Sequence, residues 1–126
     1  MAKKFYICKH CGNIIGMIHN TGVPVKCCGE NMHELVANST DAAQEKHVPV
    51  VSIDGQQVTV TVGSVAHPMT AEHNIAWVYV QTKQGGQRKA LPVDGAPTVS
   101  FALTADDAVV AVYAYCNLHG LWVKEV

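Results

Sequence analysis

The sequence predicts an all-β protein, in which a small cysteine-rich metal domain precedes a β-sandwich. Two observations carry this prediction. Short strand-like segments, separated by turns that contain Gly or Pro, recur along the last two thirds of the 126-residue chain, and such even spacing is typical of a sandwich. The first part of the chain is rich in Gly and Cys and too short to own a hydrophobic core, so we expect a bound metal to stabilise it.

Four cysteines form the first candidate metal site. Cys8 and Cys11 make a Cys-x-x-Cys knuckle, and the adjacent pair Cys27 and Cys28 follows. The alternatives to a metal are disulfides or a dithiol redox pair. However, nothing after Cys11 is typical of the helix that a thioredoxin-like motif needs, and a bridge between neighbouring cysteines would close a strained ring. The spacing leaves both zinc and iron open, and because adjacent thiolates must splay apart we expect an angularly distorted tetrahedron.

The next segment, residues 37–46 (ANSTDAAQEK), is polar and typical of a linker. We therefore predict two domains, residues 1–37 and residues 38–126. The alternation of Val58, Val60 and Val62 predicts a strand with one buried face. A turn is predicted at Asp54 and Gly55. The predicted strands of the second domain are residues 47–53, 57–62, 75–82, 87–90, 98–103, 109–115 and 121–124.

Five further residues form a second candidate site in the last two thirds of the chain. Structural and catalytic zinc sites almost always use four ligands or fewer. A larger set of imidazoles with one thiolate indicates iron, which accepts five or six ligands and changes redox state. The set therefore predicts an oxidoreductase, and it consists of His47, His67, His73, Cys116 and His119.

The sequence contexts of these residues favour a shared metal over isolated side chains. His67 precedes Pro68, which biases it towards an extended backbone. Cys116 and His119 form a Cys-x-x-His turn closed by Gly120, so both side chains can face one point. A single histidine is more often a hydrogen-bonded or exposed residue than a ligand, so one bystander in the set is the alternative. We expect the remaining histidines to be surface residues; they are His10, His19 and His33.

Composition narrows the class of protein. The chain is 48% hydrophobic, but it has neither an apolar run long enough to span a bilayer nor an N-terminal apolar region typical of a signal peptide. We therefore expect a cytoplasmic protein without a membrane partner. The net charge of −1 gives no sign of a nucleic-acid-binding surface. Five cysteines, an odd number, at metal-like spacing favour reduced thiolates.

With both clusters in view, the chain resembles the desulfoferrodoxins, the two-iron superoxide reductases, over essentially its full length. The N-terminal cysteines are similar to those of desulforedoxin, whose four thiolates hold one iron. Five separate motifs match the family in order, without departure at a ligand position. The motifs of the second site are Glu45-Lys46-His47-Val48-Pro49, Ala66-His67-Pro68-Met69, Glu72-His73 with Ile75 and Trp77, and Tyr115-Cys116-Asn117-Leu118-His119-Gly120 with Trp122.

The resemblance implies a specific architecture and activity. The second domain would be an immunoglobulin-like sandwich, and each chain would hold two irons, with zinc as the alternative occupant of the four-cysteine site. Four imidazoles around the second iron and the Cys116 thiolate on one axis would leave a sixth position for superoxide. Superoxide would be reduced to hydrogen peroxide without oxygen evolution, in detoxification during oxidative stress. The implied partners are a second copy of the chain and an electron donor such as reduced rubredoxin.

The resemblance also implies roles for Glu45 and Lys46. In an extended segment Glu45 and His47 lie on the same side, so the carboxylate would occupy the sixth position of the ferric iron after peroxide leaves. Lys46 would attract the superoxide anion and help to supply a proton through water. Without the resemblance, the two side chains are simply a solvated pair in a loop. The alternatives for the whole protein are a rubredoxin-type electron-transfer protein and a zinc-stabilised binding module without redox chemistry.

Overall fold

The computed structural model describes residues 2–126, and the chain divides into two compact units. The first unit extends to Val36, and the second comprises Ala37–Val126. Twelve β-strands and one four-residue helix make up the described secondary structure, which confirms the all-β prediction. Among the described residues, no helix has the length and hydrophobicity needed to cross a membrane.

The first unit is built from five very short strands. β1 (Phe5–Ile7) lies between β2 (Ile14–Gly16) and β5 (His33–Glu34) in an antiparallel sheet, and β3 (Lys26–Cys27) pairs with β4 (Glu30–Asn31) in a separate hairpin. Strands of two or three residues are too short to show a periodic pattern, so the sequence did not predict them. The buried hydrophobic side chains described in this unit are those of Phe5, Cys8 and Met32.

The second unit contains two antiparallel sheets. Together they have seven strands, the number found in constant-type immunoglobulin domains. One sheet has the order β10-β7-β6, and its strands are β6 (Pro49–Asp54), β7 (Gln57–Val62) and β10 (Thr98–Ala102). The other has the order β12-β11-β8-β9, and its strands are β8 (Ile75–Thr82), β9 (Gly85–Ala90), β11 (Val109–Cys116) and β12 (Gly120–Glu125).

The core lies between these two sheets. Val58, Val60 and Val62 are fully buried, as the alternation predicted, and they pack in one cluster with residues of the other sheet. The intervening Thr59 points the other way, where its hydroxyl lies 3.2 Å from that of Ser100. Cys116 belongs to the same buried cluster. The second candidate site is therefore anchored in the core at the end of β11.

The start of the second unit differs from the prediction. Residues 47–53 were expected to form a strand, but Gln44–His47 form one helical turn, α1, and β6 begins only at Pro49. The turn is closed locally, because the N–H of Val48 donates to the Gln44 carbonyl at 2.9 Å. The predicted turn at Gly55 is present, with a positive φ of 59°. The other predicted strands agree with the structure to within two residues.

The expected linker is also more ordered than its polar composition indicated. Asn38, with a φ of 60°, docks on β12. Its backbone N–H donates to the Leu121 carbonyl at 3.0 Å, and its side chain bonds both the N–H and the carbonyl of Val123 at 2.9 and 3.2 Å. Residues 37–46 are therefore part of the second unit rather than a free connection.

Candidate metal centres

Two tight turns bring the four N-terminal cysteines together. The Cys8 carbonyl accepts the N–H of Gly12 at 2.8 Å, and Gly12 has a φ of 85° that closes the knuckle. The second turn follows β3, where Cys28 adopts a φ of 53° that residues other than glycine rarely adopt. The four cysteine sulfurs all lie within 4.8 Å of one another. The structure thus places all four predicted residues in one group.

The sulfur chemistry of this group fits a cation. The Cys11 and Cys27 sulfurs are 3.6 Å apart, far beyond a disulfide bond and close to the separation of about 3.8 Å expected for two thiolates on one tetrahedral metal. The N–H of Cys11 is the main cause that lowers the pKa of Cys8 to about 6. Hydrogen bonding with Cys11 and Cys8 instead raises the pKa of Cys28 to about 12. Four thiolates within 4.8 Å of one another would repel, and a bound cation would offset that repulsion.

In the second unit, four imidazole rings form a square. Neighbouring ring centroids lie 4.7 Å (His47 to His67), 4.6 Å (His67 to His73), 5.1 Å (His73 to His119) and 4.9 Å (His119 to His47) apart. The His47 to His73 diagonal is 6.5 Å. A square with sides of this length has a diagonal close to that value, so the four rings surround one central point.

Ring nitrogens of these histidines approach one another inside the square. His47 donates its Nδ1–H to the Ala43 carbonyl at 2.6 Å, and His67 donates its Nδ1–H to the Pro68 carbonyl at 2.7 Å. Both Nε2 atoms are therefore unprotonated acceptors, yet they lie only 3.2 Å apart. His119 Nδ1 lies 3.1 Å from His47 Nε2. Two nitrogens bound at right angles to one metal would be about 3.0 Å apart.

An orphaned atom completes this evidence for a cation. His73 Nε2 is buried and has no hydrogen-bond partner, a costly situation for a polar atom inside a protein. A metal at the centre of the square would satisfy this nitrogen and would remove the repulsion between the facing lone pairs. The residues present therefore fit a metal ion.

Cys116 supplies the fifth donor from the buried side. Its side chain is fully buried, and its sulfur lies 3.8 Å from His119 Nδ1. β11 ends at Cys116, which pairs with Gly120 at the start of β12, and a φ of 78° at Gly120 reverses the chain between them. Because Cys116 belongs to the core cluster and His73 and His119 are only half-buried, the thiol lies on the core side of the imidazole square.

Two features that support the site were not assigned roles from the sequence. Trp122 stacks on His47, with centroids 4.8 Å apart, and its Nε1–H donates to the His119 carbonyl at 3.1 Å. Asn117 accepts the N–H of Asn74 at 2.9 Å, so it joins the His73 loop to the Cys116 turn. The signal was present in the motifs that contain Trp122 and Asn117, but a motif does not reveal which groups its side chains contact.

Burial favours the neutral form, which binds metals, in three of the four imidazoles. It lowers the pKa of His47 and of His73, and it lowers the pKa of His67 to about 4. Between about pH 6.5 and pH 4, the unfolded chain thus holds more protons than the folded one. We expect the melting temperature of the metal-free sandwich to fall as the pH is lowered through this window.

This pH dependence can be followed by tryptophan fluorescence, because both tryptophans, Trp77 and Trp122, lie in the second unit. Melting curves of metal-free protein recorded in steps between about pH 7.5 and pH 4.5 cover the window. A melting temperature that stays constant, or that rises on acidification, would contradict the neutral state inferred for these imidazoles.

The helical turn α1 changes the geometry expected for Glu45 and Lys46. Residues two apart on a helix point in nearly opposite directions, so the expectation that Glu45 and His47 share a side is wrong for this conformation. Both Glu45 and Lys46 are exposed. Burial is the main cause that lowers the pKa of His73, but the Lys46 charge contributes to it.

The other three histidines belong to neither group, although His10 lies between Cys8 and Cys11 in the sequence. His10 and His19 are exposed, and His33 is partly exposed, as expected for surface residues. His10 and His33 contact different carboxylate oxygens of Glu30, and the His33 contact is 3.5 Å long.

Comparisons with known proteins show which proteins this chain is similar to. A family model described as Desulfoferrodoxin matches residues 39–125. The chain is 42% identical to the desulfoferrodoxin of Nitratidesulfovibrio vulgaris, over 97% of this chain and 95% of that protein. The crystal structure of the superoxide reductase from Treponema pallidum aligns with a TM-score of 0.85 and 49% identity, over 99% of this chain and 100% of that one. The superoxide reductase (1Fe-SOR) from Giardia intestinalis aligns with a TM-score of 0.55 and 32% identity, over 65% and 97%.

Proposed function

The chain belongs to the desulfoferrodoxin family, and we propose that it is a superoxide reductase, an oxidoreductase that converts superoxide to hydrogen peroxide. The observation that carries this proposal is the square of four imidazoles with one buried thiol on its core side. The named activity of its structural relatives supports the same conclusion. We assign the metal ligands to His47, His67, His73, His119 and Cys116.

The donor set favours iron over zinc in this site. Zinc has no redox chemistry and prefers four ligands, whereas five donors suit iron. Ferrous iron held here would supply the single electron that, with two protons, converts superoxide to hydrogen peroxide. Four neutral imidazoles and one thiolate leave a positive charge on such a centre, which favours an anionic substrate. A thiolate at Cys116 would donate electron density to a bound iron. Because Cys116 is buried in the core cluster, the opposite side of the imidazole square faces away from the core.

We assign the four-cysteine group to a second iron, with zinc as the alternative occupant. Cys11 and Cys28 are exposed, so an external donor can approach this site closely, and we propose reduced rubredoxin or a similar protein in that role. The five cysteines are free thiols, which supports a reducing compartment such as the cytoplasm.

The reaction itself tests the proposed function. Reduced protein prepared without oxygen should convert each superoxide to one peroxide and release no oxygen, whereas dismutation would yield half a molecule of each. Elemental analysis should give two metals per chain, at least one of them iron. Protein that passes electrons onward but does not consume superoxide would favour the rubredoxin-type alternative, and zinc alone would favour a binding module.

We expect Lys46→Ala to slow the encounter with superoxide by up to about tenfold and to weaken its dependence on ionic strength. A local positive charge has a clear effect because the net charge of the chain is only −1. Rates measured with pulse-generated superoxide across a salt series test this expectation. Equal rates for the variant and the wild type at every salt concentration would remove Lys46 from the mechanism.

Glu45→Ala serves as the comparison for the lysine variant. We propose that Glu45 would serve as a further ligand of the oxidised metal after peroxide has left, a role that would require α1 to rearrange. The substitution should then alter the resting ferric spectrum and leave superoxide reduction largely intact. An unchanged ferric spectrum would contradict the proposed ligation.

We further propose that the protein is a homodimer that pairs through its first units. Ile7, Ile14 and Ile15 are partly buried, whereas Ile18 is 98% exposed and Val23 is 71% exposed. Such apolar exposure is a liability unless another surface covers it. Light scattering at micromolar concentration should give twice the chain mass, and Ile18→Lys should reduce it towards the monomer. Ile53→Lys, at an exposed apolar residue of β6, should leave the mass unchanged.

A further inference from the structure

One backbone carbonyl anchors the helical turn that carries Lys46 and His47. A single turn of four residues is not stable by itself, and α1 lacks a side-chain cap at its N-terminal residue, Ala43. The Glu45 carbonyl, however, accepts the N–H of Val65 at 2.9 Å and the hydroxyl of Ser64 at 3.2 Å. These two bonds attach α1 to the loop that follows β7.

Gly63 makes this attachment sterically feasible. A Cβ at residue 63 would lie 2.5 Å from the Glu45 carbonyl oxygen and 2.9 Å from the carbonyl carbon of Lys46. Both neighbours are backbone atoms, so a side chain at this position could be accommodated only if α1 moved. The requirement is for space rather than for an unusual conformation, because the φ of Gly63 lies outside the left-handed region.

The same loop also sets the position of a candidate metal ligand. The N–H of His67 donates to the Val62 carbonyl at 2.9 Å, and Val62 is itself held by a 2.9 Å bond from its N–H to the Pro97 carbonyl. The loop therefore extends from a fully buried residue of β7 and supports His67 directly. It supports His47 through α1, and the two Nε2 atoms lie 3.2 Å apart.

We propose that Gly63, Ser64 and Val65 form a clamp on the Glu45 carbonyl that positions Lys46 and His47 relative to His67. These three are positioning residues, since they act through the backbone of α1 and not on the substrate. Ser64 and Val65 are exposed and lie outside the core cluster, so core packing does not account for their contacts with α1. The inference rests on the proposed superoxide reductase function and specifies how the anion-attracting lysine is held.

Gly63→Ala is the main test of the clamp, with Gly95→Ala as its matched control. At residue 95 an added Cβ would meet only the Pro92 side chain, at 3.1 Å, and the Pro92 carbonyl oxygen, at 3.8 Å. Three measurements on the full-length iron-loaded protein separate the variants: hydrogen exchange in peptides that contain Val65, release of iron from the Cys116 site to a chelator, and the salt dependence of the reaction with superoxide.

For Gly63→Ala we expect faster exchange at Val65, iron release about tenfold faster than in the wild type, and a flatter salt dependence. Gly95→Ala should match the wild type in all three measurements. Ser64→Ala, which removes one of the two bonds to the carbonyl, should change them in the same direction but less. If Gly63→Ala releases iron at the wild-type rate and shows the wild-type salt dependence, the proposal is overturned. If Gly63→Ala does not fold, Ser64→Ala decides, and wild-type exchange and iron release in that variant would overturn it.

Failure of the clamp and failure of the proposed function give different results. Exchange and iron release report the clamp without any superoxide, so they test it even if the wild type does not reduce superoxide. Suppose that the wild type reduces superoxide and that Gly63→Ala has the same iron release and salt dependence as the wild type. This result would overturn the clamp but not the proposed function.

Discussion

Cys116→Ser should abolish the thiolate-to-iron absorption of the second site together with most of the superoxide reductase activity. The thiol is the single sulfur donor in that group and is fully buried. Loss of a residue that only supports a ligand costs about 10- to 100-fold in metal affinity, so loss of the ligand itself should cost more. The absorption of the Cys8, Cys11, Cys27 and Cys28 site should persist, because those residues lie in the other compact unit.

Visible spectroscopy on iron-loaded protein measures this outcome directly. A buried serine hydroxyl can also destabilise the fold, by about 1 to 3 kcal/mol if it finds no partner. Ala114→Ser controls for this effect, since Ala114 is fully buried in the same strand and core cluster but is not a candidate ligand. Loss of both absorption bands in Cys116→Ser would show that the ligands had been divided wrongly between the two sites.

Removal of the metal from the four-cysteine site should unfold the first unit and leave the sandwich folded. The described buried hydrophobic side chains of this unit are Phe5, Cys8 and Met32. Complete burial of a side chain such as Phe5 or Met32 contributes about 1.5 to 3 kcal/mol. By comparison, binding of structural Zn²⁺ contributes about 10 to 16 kcal/mol in zinc-finger peptides at pH 7. Without the metal, the hydrophobic contribution of the first unit cannot offset the loss of chain entropy.

Cys11→Ser provides this test without a chelator that would also strip the second site. Hydrogen exchange should lose protection throughout residues 2–36, while strands β7, β8 and β11 of the sandwich remain protected. Cys116→Ser is the matched control, because it makes the same change at a ligand of the other unit and should leave residues 2–36 protected. Persistent protection of β1, β2 and β5 in Cys11→Ser would mean that this unit folds without its metal.

The sequence predicted the sandwich well where periodicity is strong. β7 and β8 have the predicted bounds, and the buried face of β7 is the one that its alternating valines indicated. Prediction was wrong where local sequence does not determine the backbone. The helical turn at Gln44–His47 has no strong helix signal of its own, and it is held by the Val65 N–H and the Ser64 hydroxyl. Those contacts are not visible in a linear pattern.

The set of candidate metal donors could be identified from the sequence alone. The chemistry of imidazole and thiolate belongs to the residue type, and the Cys-x-x-Cys and Cys-x-x-His spacings are local. The arrangement of those donors required the folded chain. His47 and His119 are 72 residues apart in sequence, yet their ring nitrogens lie 3.1 Å apart. The side on which Cys116 lies and the direction of Glu45 depend on strand pairing and on loop contacts between distant segments. Such geometry arises from long-range packing, which no local pattern of residues encodes.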